Sequence, residues 1–152
     1  YGTLVARKMR NELDRLFFLG LIQSALFLSI VLIGLLLLAY FFGVNDVTFI
    51  NRILPFNLLV ILCIACLANH LFNAQAWYLR AHKEEPFMIL LLILGSCIAF
   101  FGYFFVSYLG VQGAVLSYSF GSIFIGLLGG TIIFIRKRAE YLTMFFREDK
   151  LN

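Results

Sequence analysis

Four long apolar stretches decide what this chain can become. They run about 16–42, 53–79, 86–109 and 114–135, and none contains an Asp or Glu. At about 1.5 Å rise per helical residue, the first reaches about 40 Å, enough to cross a hydrocarbon core about 30 Å thick with some tilt. The stretches are too long for strands and lack the alternation that a membrane β-barrel needs. The sequence is 62% hydrophobic and only 13% charged, whereas a soluble domain carries about a quarter charged residues. The expected fold is an all-α membrane protein with four transmembrane helices.

The connections follow from local chemistry. Residues 1–15 read as a basic amphipathic segment, with Arg7, Lys8, Arg10 and Arg15 set against Glu12 and Asp14. Gly43–Arg52 reads as a short loop rich in turn residues, and Pro55 suits the first turn of the second helix, where its missing N–H has no role. Arg80–Pro86 reads as a charged turn and Gly110–Gly113 as an uncharged hairpin. Arg136, Lys137 and Arg138 stop the fourth stretch, and residues 136–152 form a basic tail that suits a helix in the membrane interface.

Orientation follows from the cations. In a four-span arrangement Arg7, Lys8, Arg10, Arg15, Arg80, Lys83, Arg136, Lys137, Arg138, Arg147 and Lys150 share one side, and Arg52 alone takes the other. The positive-inside rule then places both termini in the cytoplasm. The chain starts at Tyr1, and no signal-peptide cleavage site follows the first apolar run. It reads as a piece of a longer polytopic protein.

The second helix carries the polar chemistry. At about 100° per residue, Cys63, Cys66, Asn69, His70, Asn73, Trp77 and Arg80 share roughly one third of its circumference, and Gln75 points away. Such a stripe is costly against lipid, so it should face other helices or a water-filled cavity. Three readings stand: interhelical hydrogen bonds holding a bundle together, the lining for a polar substrate, or a surface stripe near the lipid headgroups. The fourth stretch carries Ser122, Gly126 and Gly130 at four-residue spacing, a seam along which two helix backbones approach closely. The aromatic residues Phe100, Phe101, Tyr103, Phe104, Phe105 and Tyr108 suit an outer interface belt.

Several chemistries find no support. With no carboxylate in the apolar stretches, His70 has no partner for a Ser-His-Asp arrangement. A metal site would have at most His70, Cys66 and Cys63 on one helix. Cys63 and Cys66 have a redox spacing, but lie mid-membrane rather than at an exposed helix start, and read as small packing residues. The expectation is a non-enzymatic protein with no cofactor and no nucleic-acid partner.

Three pieces of sequence carry a resemblance. Ala76–Phe87 (AWYLRAHKEEPF), the LGVQGA run from Leu109 and the stop Phe134–Arg138 (FIRKR) resemble the C-terminal part of polysaccharide-biosynthesis flippases, O-antigen-type transporters of the multidrug/oligosaccharidyl-lipid/polysaccharide superfamily. The resemblance covers about residues 53–138. It implies the last four helices of a two-lobed transporter of about twelve helices, multi-pass in the bacterial inner (cytoplasmic) membrane. It further implies an undecaprenyl-diphosphate-linked oligosaccharide moved across the bilayer by alternating access, with the remaining helices of the transporter as partners. The stripe residues Asn69, His70, Asn73 and Arg80 are then the candidate substrate-binding set: neutral hydrogen bonds for sugar hydroxyls, and Arg80 for a diphosphate. Two alternatives stay open, a small four-span exporter acting as an oligomer and a non-transporting membrane scaffold or assembly subunit.

Overall fold

The computed structural model describes residues 10–44, 54–81 and 87–149. The basic residues 1–9, most of the 43–52 loop with Arg52, the 82–86 turn and residues 150–152 lie outside the described residues. Those described are almost entirely helical, with no strand among them. Helix α1 spans Arg10–Val44, α2 Phe56–Ala81, α3 Phe87–Leu109, α4 Val111–Phe120 and α5 Gly130–Asp149, with a π-helical turn pattern over Gly121–Gly129 joining the last two. Among the described residues, four helices are long and apolar enough to cross a membrane: Asp14–Phe42, Phe56–Arg80, Phe87–Leu109 and the composite Val111–Tyr141. The protein is a multi-pass membrane protein by this measure.

The boundaries differ from the sequence reading in three places, each for a local reason. Pro55 precedes α2 rather than entering it; its carbonyl accepts from the N–H of Leu58 (2.9 Å) and Leu59 (3.1 Å), as a cap residue's does. Arg136–Arg138 end the apolar stretch but not the helix, because the i→i−4 ladder tolerates long cationic side chains and α5 continues to Asp149. The tail residues up to 149 therefore continue the same helix past the fourth span instead of forming a separate one. The hairpin centres on Gly110, the only glycine described with positive φ (59°), where a Cβ would be disfavoured. Its carbonyl receives the N–H of Gly113 at 3.1 Å and starts α4.

Glycine decides how closely α3 and the fourth span approach. A Cβ on Gly113 would lie 2.1 Å from the backbone oxygen of Phe105, and one on Gly121 2.6 Å from Ile98 Cγ1. A Cβ on Gly130 would lie 2.5 Å from Phe72 Cδ2. Ser122, Gly126 and Gly130 are all buried, so the small-residue seam is a packing surface. The i→i+5 winding through it is the one regular feature that no sequence signal announced. Wider π turns of this kind occur mostly as short interruptions of α-helices.

Helix α2 is central, with α1 on one side and α4, the π segment and α5 on the other; α3 packs on α4 and the π segment. The core gathers at one end, from Phe17, Phe72, Ala76, Tyr78, Leu79, Phe87, Leu94 and Phe134. This is the end where α1 begins and α5 carries its cations, called the basic end below. Rings there meet edge to face or tilted: Phe17–Tyr78 at 4.8 Å, Tyr78–Phe134 at 5.4 Å and Phe72–Phe87 at 5.2 Å. Such geometry adds about 0.5–1.5 kcal/mol per pair beyond area burial. Away from that end α1 is bare, with Phe27 71% and Ile30 68% exposed.

Candidate functional site

The polar stripe of α2 divides in two. Its edge toward α1 is used inside the bundle: Cys63 is buried, and His70 Nε2 lies 3.0 Å from Ser24 Oγ. Ser24 also reaches the carbonyl of Leu21 at 3.1 Å. A hydroxyl has one proton; when Ser24 donates it to Leu21, its oxygen accepts from His70 Nε2–H. For His70 the interhelical reading therefore describes the geometry.

The rest of the stripe lies on the uncovered side of α2. Cys66, Asn73, Trp77 and Arg80 are exposed, with Asn69 half-buried beside them. Asn73 Nδ2 donates back along its own helix to the carbonyl of Asn69 at 2.9 Å and lies 3.4 Å from its Oδ1. Among the described residues neither asparagine side chain bonds to another helix, and both keep spare hydrogen-bonding capacity. The Arg80 guanidinium sits 5.9 Å from the Trp77 ring centroid, within the range of a cation–π contact. Asn69, Asn73 and Arg80 thus share one face, and His70 stands at its edge, turned toward α1.

Gln75 points the opposite way, as helical spacing requires. Its Nε2 donates to Thr131 Oγ1 at 3.0 Å and ties α2 to α5.

A second polar cluster was not singled out by the sequence. Asp14 Oδ1 accepts from the Tyr78 hydroxyl at 2.6 Å, and its Oδ2 accepts from Arg138 Nη2 at 2.8 Å. The Arg138 guanidinium also lies 5.2 Å from the Phe18 ring centroid. One carboxylate therefore joins α1, α2 and α5 over the aromatic core. The pair is partly shielded, with side-chain exposure of 22% for Asp14 and 34% for Arg138. The available signal was an acid and a cation at equal depth beside apolar spans. Choosing among the neighbouring cations required knowing which helices touch.

Between α1 and α2 a groove of about 240 Å³ opens beside the stripe, lined by Phe17, Gly20, Leu21, Ser24, Ala74 and Trp77. Comparison with protein-family models, characterised proteins and solved structures finds no match.

Proposed function

We propose that this chain supplies four spans of a membrane flippase that carries a lipid-linked oligosaccharide, of the undecaprenyl-diphosphate type, across the bacterial cytoplasmic membrane by alternating access. The observation that carries this reading is the direction of the stripe. Cys66, Asn73, Trp77 and Arg80 are exposed on a side of α2 that the other described helices leave uncovered. Hydrocarbon is a poor environment for such a face. A water-filled cavity closed by further helices of the same transporter suits it. Asn69 and Asn73 replace water around sugar hydroxyls, and Arg80 meets the diphosphate at the mouth of the cavity. His70, paired with Ser24, holds α1 beside that wall. The bare length of α1 is further surface for the remaining helices or for lipid.

A second reading, a scaffold or assembly subunit, is favoured by a different observation. The Ser24–His70 and Gln75–Thr131 bonds use intramembrane polar groups as ties between helices.

Alanine at Asn69, Asn73 and Arg80 separates the two. A flippase loses export of the lipid-linked glycan at unchanged abundance in the membrane. A scaffold loses abundance or assembly instead. Normal export with normal abundance in all three variants removes the site assignment. The mass of the native gene product adds an independent check: a two-lobed transporter of about twelve helices is roughly three times the size of a four-span unit.

A further inference from the structure

Three contacts that hold α5 in place each have a near-equivalent residue one position upstream. Gly130 lies against Phe72, where a Cβ would come within 2.5 Å of the ring, and Gly129 precedes it. Phe134 meets the rings of Phe17 at 5.9 Å and Tyr78 at 5.4 Å, and Ile133, packed against the same core, precedes it. Arg138 pairs with Asp14, and Lys137, bridged to Glu140 along α5, precedes it. A shift of α5 by one residue would therefore replace glycine by glycine, one large apolar side chain by another and a cation by a cation. Thr131 is the exception, since Gly130 in its place offers Gln75 no hydroxyl.

The winding just before these contacts can supply that shift. Gly121–Gly129 is π-helical over nine residues, about two turns. A turn closed i→i+5 takes up about one residue more than an α turn closed i→i+4. If one of the two turns reverts to α winding, each place along α5 is taken by the preceding residue and the helix turns by about 100°. The upstream end is held, because Gly121 lies against Ile98 and Leu94 of α3 with no room for a Cβ. At the downstream end α winding has already resumed, with the Gly130 N–H donating to the carbonyl of Gly126.

We propose that the π segment is a register switch, which lets α5 dock in either of two positions one residue apart. In the second position Gly129 faces Phe72, Ile133 enters the aromatic core and Lys137 meets Asp14. Phe134 then takes the place of Ile135, which is 61% exposed, so the core at the basic end gives up a ring. The Gln75–Thr131 bond and the ring contacts of Phe134 make the described register the major one. The minor state of such a pair holds about 0.1–10% of the molecules. The switch lies within this chain and stands whatever the protein transports.

A single fluorine reads the register. 4-Fluorophenylalanine replaces Phe134 by codon suppression, the protein is reconstituted in lipid nanodiscs, and a lipid-soluble nitroxide broadens any fluorine signal that faces lipid. The otherwise unmodified protein gives a major, shielded signal. Gly130→Ala disfavours the described register, since its methyl meets Phe72, and makes a lipid-facing signal the larger one. It stays less stable than the parent because Gln75 has lost Thr131. Gly129→Ala is accepted in the described register, where its Cβ meets the Leu90 side chain at 3.2 Å, and blocks the second, so the signal stays shielded. Thr131→Val with Arg138→Gln weakens the described register without adding bulk and serves if Gly130→Ala does not fold. That pair raises the lipid-facing fraction, and adding Gly129→Ala abolishes the rise. One shielded signal in all of these variants overturns the proposal. So does a lipid-facing signal that Gly129→Ala leaves unchanged or increases, because α5 would then be loosening without changing register.

Discussion

Gly130→Ala is the sharpest test of the packing. The added methyl would lie 2.5 Å from Phe72 Cδ2, 2.9 Å from Phe72 Cε2 and 3.1 Å from Phe87 Cε1. Neither ring has room to retreat: Phe72 is 1% and Phe87 3% exposed, and their centroids are 5.2 Å apart. Overpacking of this kind costs about 1–3 kcal/mol. Replacing glycine by alanine in a helix returns up to about 1 kcal/mol. The expected net loss is about 1 kcal/mol and at most about 2. Gly34 and Gly95 supply the reference, since a Cβ at either meets nothing within 4 Å; alanine there is neutral or stabilising. The sign therefore differs between positions that receive the same chemical change. Unfolding by sodium dodecyl sulfate in mixed micelles, followed by circular dichroism, measures it. Phe72→Leu combined with Gly130→Ala should be less destabilising than the two single effects added, because the smaller side chain releases the clash. Strict additivity, or a Gly130→Ala protein as stable as Gly95→Ala, would show that the two helices do not approach here as described.

Other outcomes follow from the same geometry. Gly113→Ala should damage the α3–α4 hairpin more than Gly130→Ala does, since its methyl meets the backbone oxygen of Phe105 and backbone cannot rotate away; the same micelle titration reads this. Asp14→Asn should cost about 1.5–3 kcal/mol, the range for hydrogen bonds to a charged group, and a cycle with Arg138→Gln should show coupling, which a purely local role for Asp14 would lack. The Ser24→Ala, His70→Ala cycle should give a coupling of about 0.6 kcal/mol, typical of interhelical hydrogen bonds in membranes; Asn73→Ala, which loses only a bond within α2, should couple to neither. A cysteine at Asn45 should label from outside intact cells and one at Lys83 should not; the reverse pattern would invert the orientation derived from the cations.

The candidate site was partly legible before any coordinates. Helical spacing alone put Asn69, Asn73, Trp77 and Arg80 together and sent Gln75 the other way, and both placements hold in α2. Spacing could not say which side of α2 would be covered. It grouped His70 with the two asparagines, yet His70 turns to Ser24, because α1 happens to lie against that edge. The node of Asp14, Tyr78 and Arg138 escaped for the same reason: its members are 64 and 124 residues from Asp14 along the chain.

Properties that act residue by residue were therefore determined by the sequence itself. A bilayer requires every backbone N–H and C=O to be satisfied within the spanning segment, so four uncharged apolar stretches become four helices whatever surrounds them. Glycine at 113, 121 and 130 permits close approach wherever the partner lies. Which partner lies there is a property of the assembled bundle. The π winding over Gly121–Gly129, the ties of α1 to α2 and α5, and the outward turn of the polar stripe came only from the tertiary structure. Each depends on which helix faces surround α2, and neighbours distant in sequence compete for those faces through packing that no local pattern encodes.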